Sequence, residues 1–136
     1  MPATALIVED EIFVALDLER ILTDAGYKVA AIAADSDGAI EAARDCQFAL
    51  VDVNLRDGPT GPGLATTLTR DYGLKVVFVT ANPAQIGEGK GALGYIRKPF
   101  SEAAILAAAA LASAAGLNEP AANDDLILLD RPAGAC

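Results

Sequence analysis

Apolar and polar positions alternate along the first hundred residues between short solid runs and helical periods. Thr4 to Val8 is a short, nearly continuous apolar run. Such a run reads as a strand buried on both faces, as in parallel sheets. Val14, Leu18, Ile21, Leu22 and Ala25 then recur at helical spacing, so Ile12 to Ala25 is expected to be an amphipathic helix that stops at Gly26. Lys28 to Ala33 is the second strand. Asp35 or Ser36 caps a second helix that reaches about Asp45. Phe48 to Val51 is the third strand and ends at Asp52.

The loop from Arg56 to Pro62 is rich in turn residues, and a third helix is expected from Gly63 to Tyr72, closed by Gly73. Lys75 to Val79 and Gly94 to Ile96 complete the strands. Ser101 caps an Ala-rich final helix to about Ala115. Strands and helices in strict alternation imply a parallel sheet covered on both faces. At this length the expected solution is a flavodoxin-like, doubly wound, five-stranded sheet in the order 2-1-3-4-5.

One repeat is incomplete. Asn82 and Pro83 can start a helix, but Gly87, Gly89 and Gly91 oppose its continuation, at about 1 kcal/mol each. The fourth helix is therefore expected to be short or disordered, followed by a mobile loop over Gly87 to Gly91. Beyond residue 116 the character changes, which separates a domain over 1–116 from a tail over 117–136. Within the tail, Leu126 to Leu129 is an isolated aliphatic run. It is too short to form a core element alone and can dock on the domain, pair with another chain or stay disordered, as terminal tails ordinarily do; the unfavourable exposure of four aliphatics tips the expectation towards docking.

Composition narrows the function classes. The chain is 53% hydrophobic with only 5% aromatics, so the core is made of small and aliphatic side chains. A net charge of −9 argues against a nucleic-acid surface, which needs clustered Lys and Arg. No apolar run is long enough to cross a bilayer and no export signal is visible, so a cytoplasmic location is expected. Cys46 and Cys136 read as free thiols in a reducing compartment. The sequence contains no His, which removes His-based metal sites, His general bases and any phosphohistidine donor role.

In an open parallel sheet the working crevice lies at the carboxyl ends of the strands. Glu9 and Asp10 follow the first strand, Asp52 ends the third, Thr80 follows the fourth and Lys98 follows the fifth. Acidic residues after a strand are ordinarily solvated turn residues, and Thr80 alone reads as a strand-end hydroxyl. Together they read differently. Three carboxylates in one crevice repel unless they share a cation, and Mg²⁺ suits an all-oxygen site with room for a phosphate. Asp52 is the best-placed nucleophile for an aspartyl phosphate. Lys98, the Thr80 hydroxyl and the metal are suited to neutralise the transferred oxygens. Glu9 and Asp10 are placed to hold metal, and the Asn54 backbone carbonyl can add a neutral ligand. The glycines around Lys90 do not make a phosphate loop, because no Ser or Thr follows the lysine.

Four segments carry a family resemblance. Leu6-Ile7-Val8-Glu9-Asp10-Glu11, Ala49-Leu50-Val51-Asp52-Val53-Asn54-Leu55, Val77-Phe78-Val79-Thr80-Ala81 and Tyr95-Ile96-Arg97-Lys98-Pro99-Phe100 together resemble the receiver domains of two-component response regulators. The resemblance spans about Thr4 to Ala115. It implies Mg²⁺-dependent phosphotransfer to Asp52 from a sensor histidine kinase or histidine phosphotransfer protein, with slow self-dephosphorylation rather than turnover as an enzyme. It also implies that Thr80 moves towards the phosphoryl group, that Tyr95 rotates inward with it, and that a downstream protein reads the new surface. Without that switch, Tyr95 is simply an edge-strand aromatic. Phe78-Val79-Thr80-Ala81 is similar to the Phe-Ala-Thr-Gly stretch of a branch of single-domain receivers linked to stress signalling, with departures at Val79 and Ala81. Glu9 stands where the family more often has Asp, and the loop after Asp52 is enlarged by Asp57 to Thr60. The expectation is a stand-alone phosphoacceptor receiver whose output is a protein contact or a phosphate relay. The rivals are a phosphorylation-independent adaptor of the same fold, and a phosphatase or flavin protein. The second Asp of aspartyl phosphatases and a Ser/Thr-rich phosphate loop after the first strand are both missing.

Overall fold

Apolar runs of four to six residues become the strands of one sheet. The computed structural model describes residues 3–87, 91–114 and 123–129. The elements are β1 (Thr4–Val8), α1 (Ile12–Asp24), β2 (Lys28–Ala33), α2 (Ser36–Ala43), β3 (Phe48–Val51), α3 (Gly61–Tyr72), β4 (Lys75–Thr80), a 3-10 turn (Pro83–Ile86), β5 (Ala92–Arg97), α4 (Glu102–Ala114) and β6 (Leu126–Leu128). The sheet order is β2-β1-β3-β4-β5-β6, with the first five strands parallel.

Strand periodicity divides the core into two. Leu6, Val8, Ala49, Val51, Val76 and Phe78 face one side and pack with Leu64 and Leu68 of α3. Ala5, Ile7, Leu50, Val77, Val79 and Ile96 face the other and pack with Leu18 and Leu22 of α1 and Ile105 of α4. Side chains alternate across a strand, so a central strand flanked by two helical layers is apolar along its middle. The small Ala104, Ala108 and Ala112 are all buried and let α4 lie close to its neighbours.

The helix ends follow local chemistry. The Asp35 carboxylate accepts a bond from the Gly38 N–H at 2.9 Å, so Asp35, not Ser36, caps α2. Ser101 Oγ accepts from the Ala104 N–H at 3.1 Å at the start of α4. Gly73 closes α3 at φ 72°, in the left-handed region that glycine tolerates best.

Three expectations are corrected. First, α3 starts at Gly61 rather than Gly63, because Pro62 fits the first turn of a helix, where its missing N–H costs nothing. Second, β5 spans Ala92–Arg97 rather than Gly94–Ile96, since pairing with β4 extends it in both directions. Third, the sheet has six strands rather than five. Leu126–Leu128 pairs antiparallel with β5, through Leu126 with Ile96, Ile127 with Tyr95 and Leu128 with Gly94. The open edge of β5 offers unpaired backbone groups, and this aliphatic run satisfies part of them.

The shortened fourth helix is a single 3-10 turn over Pro83–Ile86. The loop expected beyond it falls largely on residues 88–90, outside the described residues, as does Cys136. Cys46 is a buried free thiol. No helix among the described residues is long and apolar enough to cross a membrane.

Candidate functional site

Glu9, Asp52 and Thr80 are the buried polar residues among those described, at 3%, 7% and 0% exposure. All three sit at the carboxyl ends of neighbouring strands. Burying a charge is costly unless it is paired, so their clustering needs a counter-charge. Lys98 provides it. Its Nζ lies 2.7 Å from Glu9 Oε1 and 2.9 Å from Asp52 Oδ2. Glu11 lies further out, at 3.9 Å.

The backbone sets this arrangement. The Asp52 N–H donates to the Val8 carbonyl at 2.9 Å, which continues the β1–β3 ladder one residue beyond β3. The Lys98 N–H donates to the Thr80 carbonyl at 2.9 Å, which continues the β4–β5 ladder in the same way. The chemistry-bearing residues are therefore the first residues beyond, or the last within, strands whose register the core fixes. Asp52 Oδ1 accepts the Val53 N–H at 2.7 Å, and Glu9 Oε2 accepts the Glu11 N–H at 3.1 Å. Each of these two carboxylates thus has one oxygen on the backbone and one on Lys98.

Burial pushes the Glu9 carboxyl above its ordinary value, while the Lys98 ammonium and the Glu11 N–H pull the other way. Burial also works against the Lys98 charge. Its hydrogen bonds to Glu9 and Asp52, and the charges behind them, outweigh that and raise it.

Glu9, Asp10 and Asp52 each place a carboxylate oxygen within 4.8 Å of the others. Asp10 is exposed, so the cluster has one open side. An all-oxygen, carboxylate-rich donor set open to solvent on one side fits Mg²⁺, a hard cation that keeps several waters. Against three carboxylates Lys98 brings a single ammonium, so two formal negative charges remain for a divalent ion.

The structure brings Glu9, Asp10, Asp52 and Lys98 together. Thr80 ends β4 beside them, and its Oγ accepts the Asn82 N–H at 3.0 Å. Asn54 directs its side-chain amide to Gln85 Oε1 at 2.8 Å, which ties the loop after Asp52 to the 3-10 turn. Tyr95 stands apart. It is half-buried on β5, faces Ile127 of β6, and shares a recess with Arg97, Asp124 and Asp125.

Gly61 is a residue whose place beside Asp52 the motif spacing does not reveal. Its N–H donates to the Val53 carbonyl at 3.0 Å. A Cβ there would collide with the Asp52 carbonyl oxygen and lie 2.7 Å from Val53 Cα. The start of α3 is thus packed directly on the backbone of Asp52 and Val53. The available signal was the Gly58-Pro59-Thr60-Gly61-Pro62 run, which reads only as a turn.

Residues 5–110 match the family model of the response regulator receiver domain. The chain belongs to the response regulator receiver family. Among curated relatives, this receiver is 31% identical over 112 residues to the phyllosphere-induced regulator PhyR of Methylorubrum extorquens, covering 79% of the chain but 42% of PhyR. It is 28% identical over 117 residues to the transcriptional regulatory protein PdtaR of Mycobacterium tuberculosis, covering 82% of the chain and 57% of PdtaR. The receiver thus spans only about half the length of these relatives. Among solved structures, the PhyR response regulator receiver domain of Erythrobacter litoralis superposes with a TM-score of 0.71 at 26% identity, covering 90% of this chain and 97% of that one. A CheY-like receiver domain protein of Methanospirillum hungatei gives 0.67 at 26% identity, covering 78% and 89%. The receiver resemblance and the flavodoxin-like fold expected from the sequence are both borne out.

Proposed function

We propose that this receiver is a phosphorylation-controlled switch in two-component signalling, with Asp52 as the phosphoacceptor. The observation that carries the reading is the ion-pair geometry at Lys98, which holds Asp52 and Glu9 in one buried cluster beside the exposed Asp10. A structural ion pair would need one carboxylate; this cluster has three.

Glu9, Asp10 and Asp52 would hold Mg²⁺, with the Asn54 carbonyl as a further neutral ligand. Bound there, the ion supplies charge neutralisation for phosphoryl oxygens. Asp52 attacks the phosphorus of a phosphohistidine on a sensor kinase or a histidine phosphotransfer protein. A carboxylate O–P bond forms, the donor's N–P bond breaks, and the electron pair returns to the imidazole nitrogen, which takes up a proton. Lys98 then shifts from bridging two carboxylates to pairing with phosphoryl oxygens. The Thr80 hydroxyl, held by its bond from the Asn82 N–H, is the neutral partner that can follow. Hydrolysis returns Asp52 and inorganic phosphate, so the protein resets itself and carries out no turnover on another substrate. The output is a protein contact or a relay of phosphate to a second histidine protein. The net charge of −9 fits a protein partner rather than nucleic acid.

The test is chemical. With Mg²⁺ and a small acyl phosphate or phosphoramidate, the wild type should gain one labile phosphate and Asp52→Asn none. A folded wild type that gains no phosphate would leave the phosphorylation-independent adaptor as the better reading. Equal labelling of Asp52→Asn would reassign the nucleophile.

A further inference from the structure

The β5 edge carries a second device, independent of the phosphoacceptor chemistry. Three residues, Leu126 to Leu128, form β6 and pair with Gly94, Tyr95 and Ile96. The Leu129 N–H adds one more bond, to the Leu93 carbonyl at 3.1 Å. β5 itself is longer, from Ala92 to Arg97, so both of its ends extend beyond the ladder made by the described residues.

Gly94 is shaped to this contact. A Cβ at Gly94 would collide with the Ile127 carbonyl oxygen and lie 3.2 Å from Leu128 Cα. Its φ is not in the left-handed region, so close approach of the neighbouring strand is what favours glycine here. The segment is nevertheless weakly held. Ile127 is 44% exposed and Leu128 62%, which leaves only the half-buried Leu126 and Leu129 as anchors, one on each core. Asp124 and Asp125 precede them and share a recess with Arg97.

We infer that the β5 edge is a strand-acceptor site, filled at rest by the receiver's own residues 126–129, and opened to an extended segment of a partner protein. The segment it takes has the chemistry of its internal occupant: an acidic pair, which shares a recess with Arg97, followed by aliphatic residues. Strand addition gives affinity through backbone bonds and specificity through alternate side chains. A partner segment long enough to reach Ala92 and Arg97 gains pairing beyond that made by the described residues 126–129. A second copy of this chain brings the same segment, followed in sequence by Asp130 and Pro132, which favour continuation of a strand less than apolar residues do. The partner is therefore the better competitor. The site is also placed to be read with Tyr95, which pairs directly with Ile127.

The experiment uses the full chain and a fluorescent peptide that copies residues 123–129 and continues with Thr-Val. Ile127→Pro weakens the internal strand, because proline cannot donate to a ladder and is poorly accommodated within it. The apparent affinity scales with the fraction of chains whose edge is open, so this variant should bind the peptide about ten-fold more tightly than wild type. Adding Gly94→Val should abolish binding in this register, since its Cβ would collide with the backbone of a strand seated as residues 127 and 128 are; Gly94→Ala places a Cβ at the same point if valine impairs folding. Circular dichroism and thermal unfolding verify the sheet in each variant. No binding to a folded Ile127→Pro protein would overturn the inference, as would binding that survives a folded Gly94 variant. In the wild type the Leu129 amide should exchange faster than those of Val51 and Phe78; equal protection would show that the strand is not displaceable. A wild-type dimer that the Gly94 variant dissolves would assign the edge to a second copy and overturn the partner assignment.

Discussion

Lys98 and Glu9 form a 2.7 Å ion pair in which the Glu9 side chain is 2% exposed and the Lys98 side chain 14%. The two are separated by 89 positions in the chain. The same ammonium reaches Asp52, so the removal of one side chain strips two buried carboxylates of their cation. Lys98→Met should destabilise the metal-free protein by about 1–3 kcal/mol, the cost of leaving buried polar groups without a partner. Protonation of Glu9, whose carboxyl is already pushed up by burial, moderates the loss. Urea unfolding without divalent ions measures it, and an unchanged midpoint would contradict the pairing.

Metal should stabilise the fold by mass action. Mg²⁺ at ten times its dissociation constant adds about 1.4 kcal/mol if it binds only the folded state. The thermal midpoint of the wild type should therefore rise with Mg²⁺ and fall back with a chelator. Asp10→Asn, at the exposed corner of the carboxylate cluster, should blunt the response with little change to the metal-free midpoint. A full Mg²⁺ response in that variant would remove Asp10 from the ligand set.

Gly61→Ala tests the packing of α3 against the backbone of Asp52. The added methyl has nowhere to go, because its neighbours are the Asp52 carbonyl and Val53 Cα rather than a movable side chain. Overpacking of this kind costs about 1–3 kcal/mol. The displaced backbone should also slow phosphate uptake at Asp52, measured as the rate of labelling by the small donor. Gly63→Ala is the control, since a Cβ there meets nothing within 4 Å.

Cys46 gives a pH signature away from the site. Burial, with the neighbouring Asp45 charge, raises its thiol above the ordinary value of 9.0. In the unfolded chain the thiol ionises near that ordinary value, while in the fold it keeps its proton to higher pH. The folded state then holds more protons, and stability falls as pH rises from about 9.0 towards the raised value. Cys46→Ala should remove that component of the alkaline decline seen in unfolding curves. Alkylation at Cys46, followed by peptide mapping, should be slow in the folded protein and fast in urea; rapid labelling of the native state would refute the burial.

Much of this was legible in the chain. The solid apolar runs identify β1, β3 and β4 because a strand covered on both faces carries no charge between its ends. Asp35, Gly73 and Ser101 declare helix ends because capping is a local matter of one side chain and a few backbone groups. Glu9, Asp10, Asp52, Thr80 and Lys98 stood out because strand ends in a parallel sheet share one crevice.

What only the tertiary structure decided depends on contacts distant in sequence. The partition of Lys98 between Glu9 and Asp52 arises from side-chain packing across three strand ends, and spacing alone does not specify it. The demand for glycine at 61 and 94 comes from backbones that approach from elsewhere, Asp52 in one case and Ile127 in the other. The fate of Leu126 to Leu128 was open in the sequence because a short aliphatic run has no fold of its own. The unpaired edge of β5 gave it one.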